Sequence, residues 1–393
     1  MDKKLLDSKV FCMLPWMAFY INPDGTTAPC CIFTDYTIGN THNASIKEIY
    51  NNKKNQSIRL NMLQNKPLPK GCSTCVQHEE ANINSLRKHS NKEWGYLLED
   101  NLARTNLDTG YVNNVQFKYI DVRLSNICNM KCRTCSSNFS SLWAQEENER
   151  LGNNHSPIIQ ASNNKDELLE QVYELLPTVD KLYFAGGEPL ISEEHYLILE
   201  KLCQLGLSNK VSLTYNTNIS VLGYKKKNII DIWKQFRSIN VAASLDHYRE
   251  RAEYIRHGTN WSNIEDNLNT LSKLDNIVLM INSVASVFTY VTYNEFHYYI
   301  KENFPVVKKM TLYPLVNPDY FSTQILPKSA KEIGSANLKP LQIESLQGLV
   351  TRTHQKDTWE ELKDQFYNAI EIRDKIRGES FTQTFPELES MYE

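Results

Sequence analysis

The sequence has no uninterrupted apolar run of membrane-spanning length, so no transmembrane helix is expected. It also lacks a charge excess: 43 Lys and Arg stand against 46 Asp and Glu, a formal net charge of −3. Bulk charge therefore points neither to nucleic acid nor to a membrane surface. The apolar stretch from Phe11 to Ile21 contains Pro15, runs into Asn22-Pro-Asp-Gly25 and lacks a small-residue cleavage site. No targeting peptide is expected, and a cytoplasmic location is. Nine cysteines in a reducing compartment do not make a disulfide framework. Clustered as they are, they argue for metal. A hydrophobic fraction of 41% over 393 residues suits two or three domains with real cores.

The densest group is Cys128-Asn-Met-Lys-Cys132-Arg-Thr-Cys135, directly after a strand-like run from Tyr119 to Ser125. The next cysteine is Cys203. Three thiolates can hold three irons of a cubane cluster and leave the fourth iron open, whereas a closed cluster takes four. Structural zinc prefers four ligands in paired CxxC spacings and is the weaker reading here. The CxxxCxxC spacing resembles the signature of the radical S-adenosylmethionine (SAM) superfamily. It departs from the family pattern at Thr134, where an aromatic residue usually packs near the SAM adenine.

The first hundred residues carry a second group. Phe19-Tyr-Ile21 and Thr26-Thr-Ala28 flank Asn22-Pro-Asp-Gly25, a hairpin turn in which Pro presets φ and Gly accepts φ > 0. The hairpin brings Cys12 and Cys30 towards each other. An amphipathic segment with Ile46, Ile49, Ile58, Leu60 and Leu63 leads to Cys72-Ser-Thr-Cys75, whose spacing lets both sulfurs reach one metal centre. These spacings resemble the twitch half of the SPASM/twitch module of radical SAM enzymes, placed here ahead of the core. The resemblance implies that Cys12, Cys30, Cys72 and Cys75 ligate an auxiliary [4Fe–4S] cluster. A zinc ribbon is the alternative, and Cys31 competes with Cys30 as ligand. His78 reads as a surface histidine and Cys203 as a buried apolar thiol. Residues 80–114 read as a bridge with a helical pattern around Leu86 to Leu98.

From Val115 the chain alternates strand-like runs with helix patterns. The runs are 117–124, 181–185, 211–215, 239–245, 277–284 and 309–313. Six β/α units predict a parallel α/β fold short of the eight of a full barrel. They resemble the partial (β/α)6 TIM barrel of the radical SAM core, whose sites sit at the C-terminal strand ends. Gly186-Gly187-Glu188-Pro189 ends the second strand, where the family's motif meets the SAM amino group. Asn216 or Asn218 ends the third. Ser244-Leu-Asp246 ends the fourth, with the serine near the SAM ribose or carboxylate and the aspartate by the substrate. Arg256 resembles the arginine that pairs with the SAM carboxylate, a bidentate fit. Its rival Arg251 reads as a solvated helix charge. Asn282 stands where the family often has a polar residue near the ribose, and the strand from Met310 to Pro314 should approach the adenine.

The tail has no cysteine and no recognised catalytic motif. It predicts one amphipathic helix over 359–378, with apolar Leu362, Phe366, Ile370 and Ile376, packed on the barrel's open edge. The organisation expected is an auxiliary cluster domain and bridge over 1–110, a radical SAM core over 111–320 and a helical extension over 321–393. The resemblance implies an enzyme that reductively cleaves SAM at the [4Fe–4S] cluster of Cys128, Cys132 and Cys135. The resulting 5′-deoxyadenosyl radical abstracts hydrogen from a peptide or small-molecule substrate in an oxidative modification. It also implies an electron donor such as flavodoxin or ferredoxin. The alternative is a zinc- or iron–sulfur-containing binding or electron-transfer protein without SAM chemistry.

Overall fold

The computed structural model of the chain describes residues 2–33, 36–80, 84–341, 343 and 346–392, so residues 81–83 of the expected bridge lie outside the description. The chain forms two compact units. One takes in Met1–Ile127, Ile158–Thr214 and Asp231–Arg237, the other Cys128–Pro157, Tyr215–Ile230 and Ser238–Glu393. In chain order the strands are β1 (Ala18–Ile21), β2 (Thr26–Ala28), β3 (Gly39–Asn40), β4 (Tyr119–Val122), β5 (Lys131–Cys132), β6 (Lys181–Phe184) and β7 (Ser212–Thr217). There follow β8 (Gly223–Tyr224), β9 (Lys227–Asn228), β10 (Ser238–Ser244), β11 (Arg256–His257), β12 (Ile277–Ala285) and β13 (Lys309–Pro314).

In the first unit the expected hairpin is present, with Tyr20 opposite Ala28 across β1 and β2. Gly25 has φ +77°, and a Cβ there would lie 2.8 Å from the Ala161 carbonyl oxygen. That position takes glycine for both reasons. The hairpin does not stand apart. β1 pairs parallel with β4, Tyr20 beside Asp121, and β4 pairs parallel with β6. Helix Lys165–Leu175 starts at Asn164, whose side chain accepts from the Glu167 amide, and buries Leu168, Leu169, Val172 and Leu175. Helix Glu193–Gln204 is followed by Gly206 at φ +66°.

Three apolar assignments are corrected. In helix Lys53–Leu63 the buried side chains include Ile58 and Met62, while Leu60 and Leu63 are only half-buried. The same helix buries Arg59 completely, its Nε 2.9 Å from the Pro15 carbonyl and its Nη2 2.9 Å from that of Tyr50. Carbonyl oxygens satisfy this buried cation. Cys203 is half-buried rather than buried.

In the second unit β10, β12 and β13 run parallel, with Ser244 beside Asn282 and Asn282 beside Thr311. The polar residues expected at the strand ends thus share one level. The long helix is Trp359–Arg377, closed by Gly378 in the left-handed region. Leu362, Phe366 and Ile370 are buried, but Ile376 is 49% exposed, because the last turn gives its inner side to charged residues. Among the described residues no helix is long and apolar enough to cross a membrane.

Candidate functional site

The three-cysteine loop is built from short-range bonds. The Cys135 amide donates to the Cys132 carbonyl at 3.1 Å, and the Ser140 hydroxyl to the Met130 carbonyl at 2.6 Å. The Trp143 indole N–H donates to the Cys132 carbonyl at 3.0 Å. Trp143 is therefore an aromatic side chain touching a loop whose own aromatic position is Thr134. The loop's middle segment is the strand β5, which pairs antiparallel with β11, so that Cys132 stands opposite Arg256 and Lys131 opposite His257. Gly258, at φ +104°, lets this ribbon pass close to the Asn129 carbonyl.

That pairing brings two predicted site residues together. Arg256 Nη1 lies 3.9 Å from Cys132 Sγ, and its Nε lies 2.7 Å from Asp246 Oδ2. The latter is a charge contact rather than an aligned hydrogen bond. Asp246 is almost wholly buried, and its Oδ1 accepts from the Val284 amide at 2.8 Å. Asp246 was expected beside the substrate, and here it holds the guanidinium. Arg251 is not a solvated charge: it forms a two-pronged pair with Glu387, at 2.8 and 3.0 Å, and reaches the Thr292 hydroxyl. Asn282 donates to the Asn216 side-chain oxygen at 3.2 Å. Asn218 donates to Asn129 within the three-cysteine loop at 3.0 Å and is largely buried.

Burial raises the Cys132 thiol pKa, with Arg256 opposing and Asp246 adding to the shift. Cys135 is pushed up to about 12 by burial and by Cys132. Buried thiols of this kind stay protonated on their own, and iron coordination would hold them as thiolates. The donor set therefore fits a cluster, with a guanidinium at its edge.

In the first unit, Gly186 and Gly187 make a close backbone approach. Gly186 has φ +113°, and a Cβ on Gly187 would lie 2.1 Å from the Ile127 carbonyl oxygen, immediately before Cys128. The Glu188 amide donates to that same oxygen at 2.7 Å. Glu188 is buried, and its Oε1 accepts from the Leu190 amide of the turn begun by Pro189.

Cys12, Cys30, Cys72 and Cys75 line one cavity with Arg87. Burial pushes Cys12 and Cys72 up to about 12, with Cys75 adding to both and Arg87 opposing. Cys30 is raised well above the ordinary thiol value, by burial first and then by Cys31 and Cys12. Cys31 is pushed up to about 11 by burial and then by Asp121, on the side of Arg123. Among the described residues no three His, Cys, Asp or Glu side chains group tightly enough to hold a single ion. A cluster that takes one thiolate per iron spreads its ligands around a cavity, which is the arrangement these four share. Arg87 escaped the sequence reading. It is buried, pairs with Glu79 and bonds the Phe11 carbonyl at 2.7 Å. It supplies positive charge where four thiolates would gather, and no spacing rule announces it.

Residues 122–302 match the model of the radical SAM superfamily, and residues 12–76 match that of an iron–sulfur cluster-binding domain, SPASM. Among solved structures, native anSMEcpe with bound AdoMet is similar at 21% identity, over 59% of this chain and 62% of its own, with a TM-score of 0.41. SuiB of Streptococcus suis bound to S-adenosylmethionine is similar at 16% identity, over 74% of this chain and 64% of its own, with a TM-score of 0.39. The chain thus spans less than two thirds of the length of either. No curated protein matches it. The match to the radical SAM model over residues 122–302 thus follows, in chain order, a match to an iron–sulfur cluster-binding domain at residues 12–76.

Proposed function

We propose that the chain cleaves SAM reductively and uses the resulting radical to oxidise a peptide or small molecule. The carrying observation is Arg256 Nη1 beside Cys132 Sγ, with Asp246 behind the guanidinium. Cys128, Cys132 and Cys135 hold the open cluster. When bound, that cluster and SAM supply a 5′-deoxyadenosyl radical able to take hydrogen from an unactivated C–H bond. Arg256 receives the SAM carboxylate, and Asp246 keeps its plane fixed. Gly186 and Gly187 present backbone close to the ammonium, with Glu188 and Pro189 shaping the turn. Ser244, Asn216 and Asn282 offer polar atoms to the ribose from neighbouring strand ends.

Cys12, Cys30, Cys72 and Cys75 hold a second, closed [4Fe–4S] cluster of the twitch type beside Arg87. Held by these four thiolates, such a cluster would supply an acceptor for the electron of the substrate radical, which would make the net reaction an oxidation, or a site that positions the substrate. The architecture that goes with this reading is a partial (β/α)6 TIM barrel, with the segments 1–110, 111–320 and 321–393 as auxiliary domain and bridge, core and extension. The test is anaerobic reconstitution with dithionite and SAM. The parent should release 5′-deoxyadenosine, and a variant with Cys128, Cys132 and Cys135 all changed to Ala should release none. Equal release from both would overturn the reading.

A further inference from the structure

Cys132 is flanked by Lys131 and Arg133; the end of the helix Trp359–Arg377, more than two hundred residues away in sequence, reaches Arg133 directly and Lys131 by way of Glu146. Arg133 is completely buried. Its Nη2 lies 2.5 Å from Asp374 Oδ1 and 2.5 Å from Glu379 Oε2. Its Nε donates to the Tyr254 carbonyl at 3.1 Å, and its guanidinium sits 3.7 Å from the centre of the Tyr254 ring. Its amide donates to the Ile255 carbonyl at 2.8 Å, which continues the β5–β11 ribbon carrying Cys132 and Arg256.

Lys131 is bound on the other side. It pairs with Glu146 at 2.6 Å, and Glu146 pairs with Arg377 at 2.8 Å. Opposite Lys131 stands His257, whose Nδ1 lies 2.6 Å from Glu379 Oε1. Gly378, at φ +66°, turns the chain so that the Glu379 amide returns to the Asp374 carbonyl at 3.0 Å. Asp374 also accepts from the Tyr254 hydroxyl and the Phe381 amide.

Burying a guanidinium with two carboxylates is a poor route to stability, since desolvation offsets most of the attraction. Among the described residues Arg133 Nη1 has no hydrogen-bond partner as well. The network is better suited to fixing one geometry. We infer that Asp374 and Glu379 are positioning residues for the cluster loop. Through Arg133 and His257 they set where Cys132 and Arg256 stand, so the C-terminal helix belongs to the SAM-cleaving apparatus. The inference rests on the reading of Cys128, Cys132 and Cys135 as cluster ligands.

The test uses full-length Asp374→Asn and Glu379→Gln, which keep shape and remove charge. Partners of metal ligands commonly change affinity or activity by roughly 10- to 100-fold. Each variant should lose 5′-deoxyadenosine yield by about that factor and blunt the SAM-dependent change in the reduced cluster's paramagnetic spectrum. Without iron or SAM, amide exchange at Cys132 and Arg133 should quicken in both. Glu360→Gln, an exposed acid on the same helix, should match the parent in every measurement. Parent-like spectra and parent-like exchange in both variants would overturn the inference. If the cluster reading itself were wrong, the parent would already lack a SAM-dependent spectrum, so the two failures are distinguishable. Should Asp374→Asn not fold, Glu379→Gln decides, because it can still bond Arg133 and His257.

Discussion

Arg256 stands beside Cys132 because two short strands pair in one register, Arg256 opposite Cys132. A shift of one residue would place His257 there instead and send the guanidinium to the other face. Asp246 then fixes the side-chain plane. Charged hydrogen bonds contribute about 1.5–3 kcal/mol. Arg256→Ala should therefore weaken SAM binding roughly ten- to a hundredfold by calorimetry. Unchanged affinity would remove Arg256 from the SAM carboxylate. Arg251 is a poor substitute, since Glu387 and Thr292 already engage it. Arg256 was singled out by its resemblance within Tyr254-Ile-Arg-His-Gly258, whereas its contact with Asp246 was not legible in the sequence. Both residues were identified one at a time, and only the fold brings them within 2.7 Å.

At the scale of elements, the long C-terminal helix does two jobs along its length. Its first turns bury apolar side chains: Phe366 is fully buried and packs at 5.6 Å from Phe381 and 6.0 Å from Phe321, ring centre to ring centre. Its last turn carries the charges that reach the three-cysteine loop. Phe366→Ala should cost about 3–5 kcal/mol through the lost contacts and the cavity left behind. Chemical denaturation of the apo protein checks this, and a loss below ~1 kcal/mol would show that the aromatic cluster collapses around the gap. The helix itself was plain from its 3.6-residue apolar spacing and closing Gly378. Its exposed Ile376 was misplaced because periodicity assumes one uniform buried stripe, and here the stripe becomes ionic near the C-terminus.

At the scale of the whole molecule, the prediction is a metal count. Two four-iron clusters give about eight irons per chain. The Cys128/Cys132/Cys135→Ala variant should keep about four, with a paramagnetic signal insensitive to SAM. Cys72→Ala with Cys75→Ala should keep the SAM-sensitive signal and lose turnover of substrate. A triplet variant holding one zinc and no iron would replace the second cluster by a zinc site. The sequence by itself determined what depends on short stretches of chain: the CxxxCxxC and CxxC spacings, the Pro-Asp-Gly hairpin, the six strand-like runs and the glycines of Gly186–Gly187. Those features are local because bond lengths and φ preferences limit where neighbouring residues can go. Tertiary structure alone decided that β1 joins β4, that Arg87 faces the N-terminal thiols, and that Asp374 and Glu379 grip the residue after Cys132. A carboxylate's partner is chosen by which cation the packed chain leaves within a few ångströms. That distance is fixed by the fold and has no counterpart in residue spacing.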